Sequence, residues 1–517
     1  MKTLGAGTVS FMVPGLPKAF GVDAIRRRAD DKKRPNILFI MSDDHSTNAL
    51  GAYASLLSEV VRTPHLDRLA ADGVRLDNCF CTNSICVPSR ASILTGQYSH
   101  MNGVYSLHHS LDRDRQNVAK LLSAAGYETA VIGKWHLKSD PAGFDHWNIL
   151  PGQGRYHDPE MKEKGKSERQ IHEGFSTDVI TDLSIEWLEE RDLLEERGDR
   201  PFCLMTHYKN CHAPWHYAER HASLFEETKI PEPASLWEDK RHRSDGSREY
   251  GFTMETMAER MEKANYPTGP LDTDGLDGSE RKRAAYQKFL KDYLRCVTAI
   301  DENVGRLLDF LDERGLAEST VVIYTSDQGY FLGEHDYIDK RWMFEESLRM
   351  PFIARYPGEI PARSTNDDII TNVDFAETLL DYAGLERPPS MQGRSFRANL
   401  SGRTPPDWPR SMYYHYWQHC NRPAHYGVRT QKHKLIFFHG VPLEGKASKN
   451  QPPTKPGWEL YDLEKDPLEL KNVYNDPAYS ETVKRLKEEL LRLKNEVGDH
   501  DEKHPALMKV REKFWNR

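Results

Sequence analysis

The sequence predicts an α/β fold, a mostly parallel sheet flanked by helices with a smaller α/β subdomain at the carboxyl end. Three observations predict it. Several short runs are apolar throughout rather than alternating, as strands buried on both faces are. Segments with helical spacing separate those runs. Two of the runs end in acidic or amide residues, Asp43-Asp44 and Asp327-Gln328, as strands do whose carboxyl ends open onto a ligand site.

The elements follow in order. Asn36-Ile37-Leu38-Phe39-Ile40-Met41 is the first strand, bounded by Pro35 and Ser42-Asp43-Asp44. Asn117 to Ala125 places Val118, Leu121, Leu122 and Ala125 on one helical face, stops at Gly126, and leads into a strand at Thr129-Ala130-Val131-Ile132-Gly133. Pro231 to Gly278 is rich in charge, Gly and Pro, and is expected to lie over the sheet as an insertion outside the core. Ala284 to Leu316 is a long helix through Leu290, Leu294, Val297, Ile300, Val304, Leu307 and Leu311. Thr320-Val321-Val322-Ile323-Tyr324-Thr325 and Pro351-Phe352-Ile353-Ala354-Arg355-Tyr356 read as further strands. Thr404-Pro405-Pro406 and Pro409 mark a change of character. Beyond them Tyr413 to Phe438 alternates as strands do, and Lys484 to Val497 has the spacing of a charged surface helix. The expected division is a leader or tail over 1–34, a catalytic domain over 35–405 and a subdomain over 406–517.

Composition narrows the function. The chain has 517 residues, with 71 basic against 79 acidic, a net charge of −8. That balance excludes a sequence-independent nucleic-acid binder, which needs a basic surface. No apolar run approaches the ~20 residues that span a bilayer. Seven cysteines are too sparse for a disulfide scaffold, and an odd count leaves at least one outside any intrachain pair. The segment Leu4 to Val13 is small and apolar, is broken by Pro14, Gly15 and Pro17, and precedes a charged stretch from Arg26 to Arg34. It reads either as the apolar part of an export signal or as a disordered tail. Lys2-Thr3-Leu4-Gly5-Ala6-Gly7 resembles the segment after the arginine pair of a twin-arginine signal, although no pair precedes it. The expected location is periplasmic or secreted.

Two features carry chemistry. Asp43, Asp44, Asp327 and Gln328, brought together at strand ends, are three carboxylates and an amide oxygen that repel unless a cation lies between them. Oxygen ligation suits Ca²⁺, with Mg²⁺ the other possibility, rather than Zn²⁺. The plain alternative is that such residues cap strands and start turns. The second feature is Cys86-Val87-Pro88-Ser89-Arg90, followed by Thr95-Gly96. Pro88 suits the first turn of a helix, which puts Cys86 at a helix amino terminus, where anions are stabilised, with Arg90 one turn on. Cys86 then reads as a buried thiol or a thiolate nucleophile.

Cys86-Val87-Pro88-Ser89-Arg90 with Thr95-Gly96 resembles the signature of the type I, formylglycine-dependent sulfatases of the alkaline phosphatase superfamily. Further pieces of that pattern occur in order: Asp43-Asp44, Gly133-Lys134-Trp135-His136-Leu137, His212-Ala213-Pro214, Asp327-Gln328-Gly329, Gly333-Glu334-His335, Lys340 and Glu459-Leu460-Tyr461-Asp462-Leu463. Together they cover Asn36 to about Tyr474. The resemblance implies an alkaline-phosphatase-like sheet and conversion of Cys86 to formylglycine by a maturation enzyme. It implies a cation on Asp43, Asp44, residue 86, Asp327 and Gln328, the last in place of the commoner Asn or His. In the implied mechanism a hydroxyl of the hydrated aldehyde attacks sulfur, the alcohol departs, and loss of the second hydroxyl proton expels sulfate. Arg90 would orient the diol, Lys134 and Lys340 would bind sulfate oxygens, His136 would act as base and His212 as the acid for the leaving alcohol. His335 and Arg341 would stand behind these groups or touch substrate.

The substrate is read from weaker likenesses. Cys81 to Cys86, Leu150-Pro151-Gly152-Gln153-Gly154-Arg155-Tyr156 and His425-Tyr426-Gly427-Val428-Arg429-Thr430 resemble bacterial relatives of N-acetylglucosamine-6-sulfatase. Iduronate-2-sulfatases, algal-polysaccharide sulfatases and arylsulfatases share much of the pattern. His425 is the expected sugar contact, and Trp215, Tyr217 and Trp417 either stack on a sugar or pack the fold. The competing readings are a formylglycine-dependent phosphonate or phosphodiester hydrolase, and a non-catalytic binder of sulfated glycans.

Overall fold

The protein is described here by a computed structural model, which covers residues 34–193, 200–417, 422–443 and 451–516. The leader expected over 1–34 lies almost wholly outside these residues.

The central sheet has ten strands. In chain order they are β1 (Asn36–Ser42), β2 (Val74–Leu76), β3 (Glu128–Lys134), β4 (His146–Leu150), β5 (Glu160–Glu163), β6 (Gln170–Ile171), β7 (Phe202–His207), β8 (Thr320–Ser326), β9 (Phe352–Arg355) and β10 (Ser364–Asn366). Their spatial order is β10-β2-β9-β8-β1-β7-β3-β4-β5-β6. The middle of the sheet, β8-β1-β7-β3-β4, is parallel throughout. The strand expected at Pro351 to Tyr356 is present as β9, but it runs antiparallel to β8. Its entry is the short connection from the site region rather than a crossover helix, and antiparallel neighbours need no crossover.

Strand β1 shows why its sequence is apolar at every position. Leu38 and Ile40 join the core on one face, while Ile37, Phe39 and Met41 join the core on the other. A period of two delivers alternate side chains to two buried layers. The first layer is built on the helix Gly278–Glu313, 36 residues long and therefore ~54 Å. Its start was not visible in the apolar spacing. It is set by Asp277, whose carboxylate accepts from Ser279 N and Glu280 N while Glu280 returns a bond to Asp277 N, a reciprocal cap. The second layer holds Cys86–Thr95, Val118–Ala124 and Phe375–Tyr382.

The insertion behaves differently from the expectation. Within Pro231 to Gly278, Leu236, Met254, Met257, Ala258 and Met261 are fully buried in the same core as β1. Met254, Met257, Ala258 and Met261 recur at i, i+3, i+4 and i+7 on one face of Met254–Met261, so part of this charged stretch is core, not cover.

The smaller subdomain is a four-stranded antiparallel sheet, Ser411–Tyr416, His425–Thr430, His433–Phe438 and Gly457–Asp462, in that order. One face packs Tyr413, Val428, Leu435 and Phe437 under Leu486 and Leu490 of the helix Ser480–Val497. The other packs Met412, Tyr414, Ile436 and Phe438 onto Phe331, Trp342 and Phe344 of the larger body. Among the described residues no helix is long and apolar enough to cross a membrane. Cys79, Cys81, Cys86, Cys203, Cys211 and Cys296 are buried free thiols; Cys420 lies outside the described residues.

Candidate active site

The carboxyl ends of β1, β7, β3 and β8 open on the same side of the sheet, because those strands are parallel. Ser42 and Ser326 are paired in register, so Asp43-Asp44 and Asp327-Gln328 leave adjacent strands at the same level. Lys134 ends β3, and the chain after β7 turns back through Lys209 to His212. Gly133 makes room for this meeting. Its φ is +105°, and a Cβ there would sit 2.0 Å from the His207 carbonyl oxygen. Asp44 and His136 adopt left-handed backbone conformations (φ 62° and 59°). Such a conformation costs a non-glycine residue of order 1 kcal/mol, a strain concentrated where side chains must point into the centre.

Cys86 is the first residue of the helix Cys86–Thr95, all ten residues of which are buried. The helix stops at Gly96, whose φ of +62° suits a left-handed cap. Cys86 Sγ lies 3.4 Å from Asp43 Oδ1 and 3.8 Å from Gln328 Nε2. Burial pushes the thiol up to about 12, against the lowering pull of Lys340, which disfavours the thiolate.

Around Cys86 the charges alternate. One oxygen each from Asp43, Asp44 and Asp327 lies within 4.8 Å of the others. Lys134 Nζ contacts Asp43 Oδ2 and lies 2.5 Å from Gln153 Oε1. Lys340 Nζ is 2.6 Å from Asp44 Oδ2. Arg90 donates from Nε to Asp327 Oδ2 at 2.8 Å and from NH1 to the Lys134 carbonyl at 2.7 Å. Gln328 Nε2 donates to Asp44 Oδ1 at 2.5 Å. All these side chains but that of Gln153, which is half-buried, are buried. Burial raises Asp44 to about 6, against the lowering pull of Lys340. Burial also opposes the charge of Lys340, but Asp44 and Cys86 outweigh it and hold its ammonium firmly protonated.

Three buried atoms have no hydrogen-bond partner among the described residues: Gln328 Oε1, Arg90 NH2 and His136 Nδ1. A buried polar atom left unpaired costs ~1–3 kcal/mol, so such atoms need a reason. Gln328 turns Nε2 to Asp44 Oδ1 and leaves Oε1 without a partner; a turn of this amide, whose O and N are interchangeable in position, would set Oε1 beside the three converging carboxylates and complete the oxygen donor set of a hard divalent cation. Arg90 NH2, a buried donor with no acceptor, marks the side where an anion would fit. His136 is held neutral, at about 2, first by burial and then by Lys134 and Arg90. His212 Nε2 stands 3.9 Å from Asp44 Oδ2, and its Nδ1 lies 2.7 Å from the Ala213 carbonyl, which assigns the proton of the neutral ring to Nδ1. Burial, then Lys134 and Lys340, lower its basicity.

The structure thus brings together Asp43, Asp44, Cys86, Arg90, Lys134, His212, Asp327, Gln328 and Lys340, with His136 beside them. His425 is elsewhere in kind: fully buried in the smaller sheet, stacked near Tyr414 and Trp342, with Nδ1 2.8 Å from the Pro423 carbonyl and Nε2 unpartnered. Trp215 packs on Phe289 (centroids 4.6 Å) and Trp417 stacks on His415 (3.6 Å), so both are packing. Tyr217 lies under Arg295. His335 sits behind the centre on Glu238, and Arg341 pairs with Asp339. Two further side chains belong to the site: Gln153, which figures in the sequence only within the Leu150–Tyr156 likeness and holds Lys134, and Tyr293, whose hydroxyl donates to the Asp44 carbonyl at 2.7 Å. Gln153 sits between Gly152 and Gly154, both at positive φ. That glycine pair is the local signal of a tight turn presenting a side chain.

The sulfatase family profile matches residues 35–385. This chain belongs to the sulfatase family. The profile of the N-sulphoglucosamine sulphohydrolase carboxy-terminal region matches residues 333–496. The sulfatase is 41% identical to an N-acetylglucosamine-6-O-sulfatase of Bacteroides thetaiotaomicron, over 93% of this chain and 90% of that one. It is 27% identical to an arylsulfatase of Clostridium perfringens, over 89% of this chain and 94% of that one. A solved structure in complex with its substrate D-glucosamine-2-N,6-O-disulfate matches at a TM-score of 0.81 and 39% identity, covering 91% of this chain and 99% of that one. The phosphonate monoester hydrolase of Silicibacter pomeroyi shares the fold, at a TM-score of 0.69 and 21% identity over 90% of this chain and 96% of its own. The enzyme is a sulfuric ester hydrolase.

Proposed function

We propose that this sulfatase hydrolyses sulfate monoesters on a glycan sugar, the 6-O-sulfate of N-acetylglucosamine or a closely related glucosamine, with residue 86 as formylglycine. The observation that carries the reading is the position of Cys86: at a helix amino terminus, 3.4 Å from Asp43, between three carboxylates and two lysines. The 41% identity to the Bacteroides N-acetylglucosamine-6-O-sulfatase supports the sugar. A maturation enzyme that oxidises Cys86 is the implied partner. The apolar segment near Leu4 to Val13 and a sulfated-glycan substrate favour action in the periplasm or outside the cell.

Asp43, Asp44, Asp327 and Gln328, with residue 86, would hold the cation, and their oxygen donors favour Ca²⁺ over a softer metal. When bound, it supplies Lewis acidity at residue 86. Residue 86, as a hydrated aldehyde, supplies the hydroxyl nucleophile. The remaining work falls to the side chains around residue 86. Lys134 and Lys340 face the sulfate oxygens and offset charge as the S–O bond breaks. Arg90 NH2 orients residue 86. His136, neutral and with Nδ1 free, accepts a proton from residue 86. His212 presents Nε2 to the leaving oxygen. It is poorly basic in the free enzyme, and an arriving sulfate ester raises its proton affinity by adding negative charge beside it. A sugar contact by His425 would use Nε2, its unpartnered nitrogen.

The test is twofold. Mass spectrometry of the peptide containing Cys86, from protein made in a host with a maturation enzyme, is expected to show the formylglycine mass; cysteine alone in an active enzyme would refute the mechanism. A sulfate-release screen over defined sulfated glucosamines, with phosphonate and phosphodiester controls, is expected to favour the 6-O-sulfate.

A further inference from the structure

The centre contains a lysine that the mechanism above does not use. Lys209 is 3% exposed, on the turn whose end, His212 N, donates to the Lys209 carbonyl at 3.1 Å. Its ammonium rests 4.6 Å from the ring centre of Tyr156. The Tyr156 hydroxyl donates to the His212 carbonyl, so one tyrosine positions both residues. The other two lysines are neutralised in the free enzyme, Lys134 by Asp43 and Lys340 by Asp44. Among the described residues Lys209 forms no ion pair. The turn that carries it is nonetheless fastened to the centre: Asp43 N donates to the Asn210 carbonyl at 2.8 Å and Cys211 N to the Asp43 carbonyl at 2.5 Å, one and two residues beyond Lys209.

A buried ammonium without a counter-charge is costly, and the face of one tyrosine offsets only part of that cost. Burial accordingly pushes Lys209 down to about 8. An anion entering beside Cys86 supplies the missing counter-charge. We propose that Lys209 is a third substrate-binding ammonium, contacting the sulfate group from the His212 side. The proposal rests on the sulfatase reading and adds a residue to it. It also assigns a division of labour. Lys134 and Lys340 serve both the acidic residues and the sulfate, whereas Lys209, with no carboxylate partner among the described residues, serves the sulfate alone.

Two variants and one labelling experiment test it. In Lys209→Met, calorimetric titration with inorganic sulfate is expected to show affinity lowered by about tenfold, the scale of one charge-assisted hydrogen bond. KM for a sulfated glucosamine is expected to rise by a similar factor, with kcat falling less. Lys209→Arg, which keeps the charge, recovers part of both. Because the removed charge is unpaired, Lys209→Met is expected to melt at or above the wild-type temperature. In the wild type, inorganic sulfate is expected to slow acylation of the Lys209 amine, read by peptide mass spectrometry. Sulfate affinity and KM within twofold of wild type in Lys209→Met, or equal Lys209 labelling with and without sulfate, would overturn the proposal. Wild-type protein carrying formylglycine that releases no sulfate from any sulfated sugar would instead overturn the underlying reading, before any variant is made.

Discussion

Two buried carboxylates, Asp44 in the centre and Glu238 some distance behind it, have equally sheltered side chains (1% and 2% exposed) and opposite electrostatics. Glu238 is surrounded by donors. Arg243 grips both its oxygens at 2.8 and 2.7 Å, His242 lies at 2.7 Å and His335 at 2.6 Å. Burial alone would raise its pKa, but these donors together hold it well below the usual carboxylate range. Asp44 shares its neighbourhood with Asp43 and Asp327 and has fewer donors, and burial raises it to about 6. Both oxygens of Glu238 are hydrogen-bonded within the protein, although His335 Nε2 on the far side of its ring is not, and the clasp ties the insertion to the body of the fold. The centre is incomplete, with unpartnered atoms on Gln328, Arg90 and His136. A complete ionic cluster holds structure together. An incomplete one waits for a ligand, as functional sites that violate local rules do.

The comparison breaks most sharply by removing one group from each cluster. Cys86→Ala is expected to lower kcat by on the order of 10⁴-fold or more, the scale seen when a nucleophile is removed. Its unfolding midpoint should change little, since the residue contributes one small buried side chain. Parallel sulfate-release kinetics and thermal melts check both halves; residual turnover within tenfold of wild type would contradict the role of residue 86. Arg243→Met is expected to do the reverse. It leaves the buried Glu238 carboxylate to His242 and His335 alone, a loss of about 3 kcal/mol by chemical unfolding, while sulfate release persists at temperatures below the lowered melt.

How much of this was legible beforehand follows from which interactions are local. The apolar strand runs announced β1, β3 and β8, because a strand buried on both faces has no other composition. Cys86 at a helix start was legible from Pro88 two residues on. The alternation beyond Tyr413 announced the small sheet. The insertion was misjudged because Met254, Met257, Ala258 and Met261 are interleaved with Glu255, Glu259 and Arg260, and composition averages away a one-sided face. The Glu238 clasp was not legible at all: Glu238 and His335 are 97 positions apart in sequence, and nothing local to either announces the other. For the same reason Lys209 stood in the sequence as an unremarked lysine, and Tyr156 only as the end of the Leu150–Tyr156 likeness, with nothing to join the two.

The clasp can also be probed by pH. Burial opposes protonation of His335, yet Glu238 and Glu346 raise its pKa from 6.5 to about 9. A raised folded-state value means the protonated ring stabilises the fold fully below pH ~6.5 and that this contribution is lost as pH rises through about 9. The expected loss is about 3 kcal/mol at most. His335→Gln should flatten that alkaline limb in a series of urea unfolding curves. An unchanged limb would show that another group controls it.

The smallest effect is expected next door, at Glu334. Its carboxylate accepts from Asn48 Nδ2 at 2.7 Å and from Leu332 N at 2.5 Å, but burial, reinforced by the charge of Glu346, raises its pKa to about 7. Here the sign is that of an acid better protonated when folded. The unfolded chain ionises first, near pH 4.5, so stability is present below that value and declines as pH climbs to about 7. Glu334→Gln keeps the shape without the charge. Its amide adds one donor where two already point, which Asn48 can relieve by turning its own amide. At pH 5 the variant is expected within about 1 kcal/mol of wild type, and between pH 5 and 7 it should lose less stability than wild type does. A steeper decline in Glu334→Gln would mean that the ionised carboxylate is favourable in this position, and Glu334 would then belong with Glu238 as a satisfied charge instead of with Asp44 as an unsatisfied one.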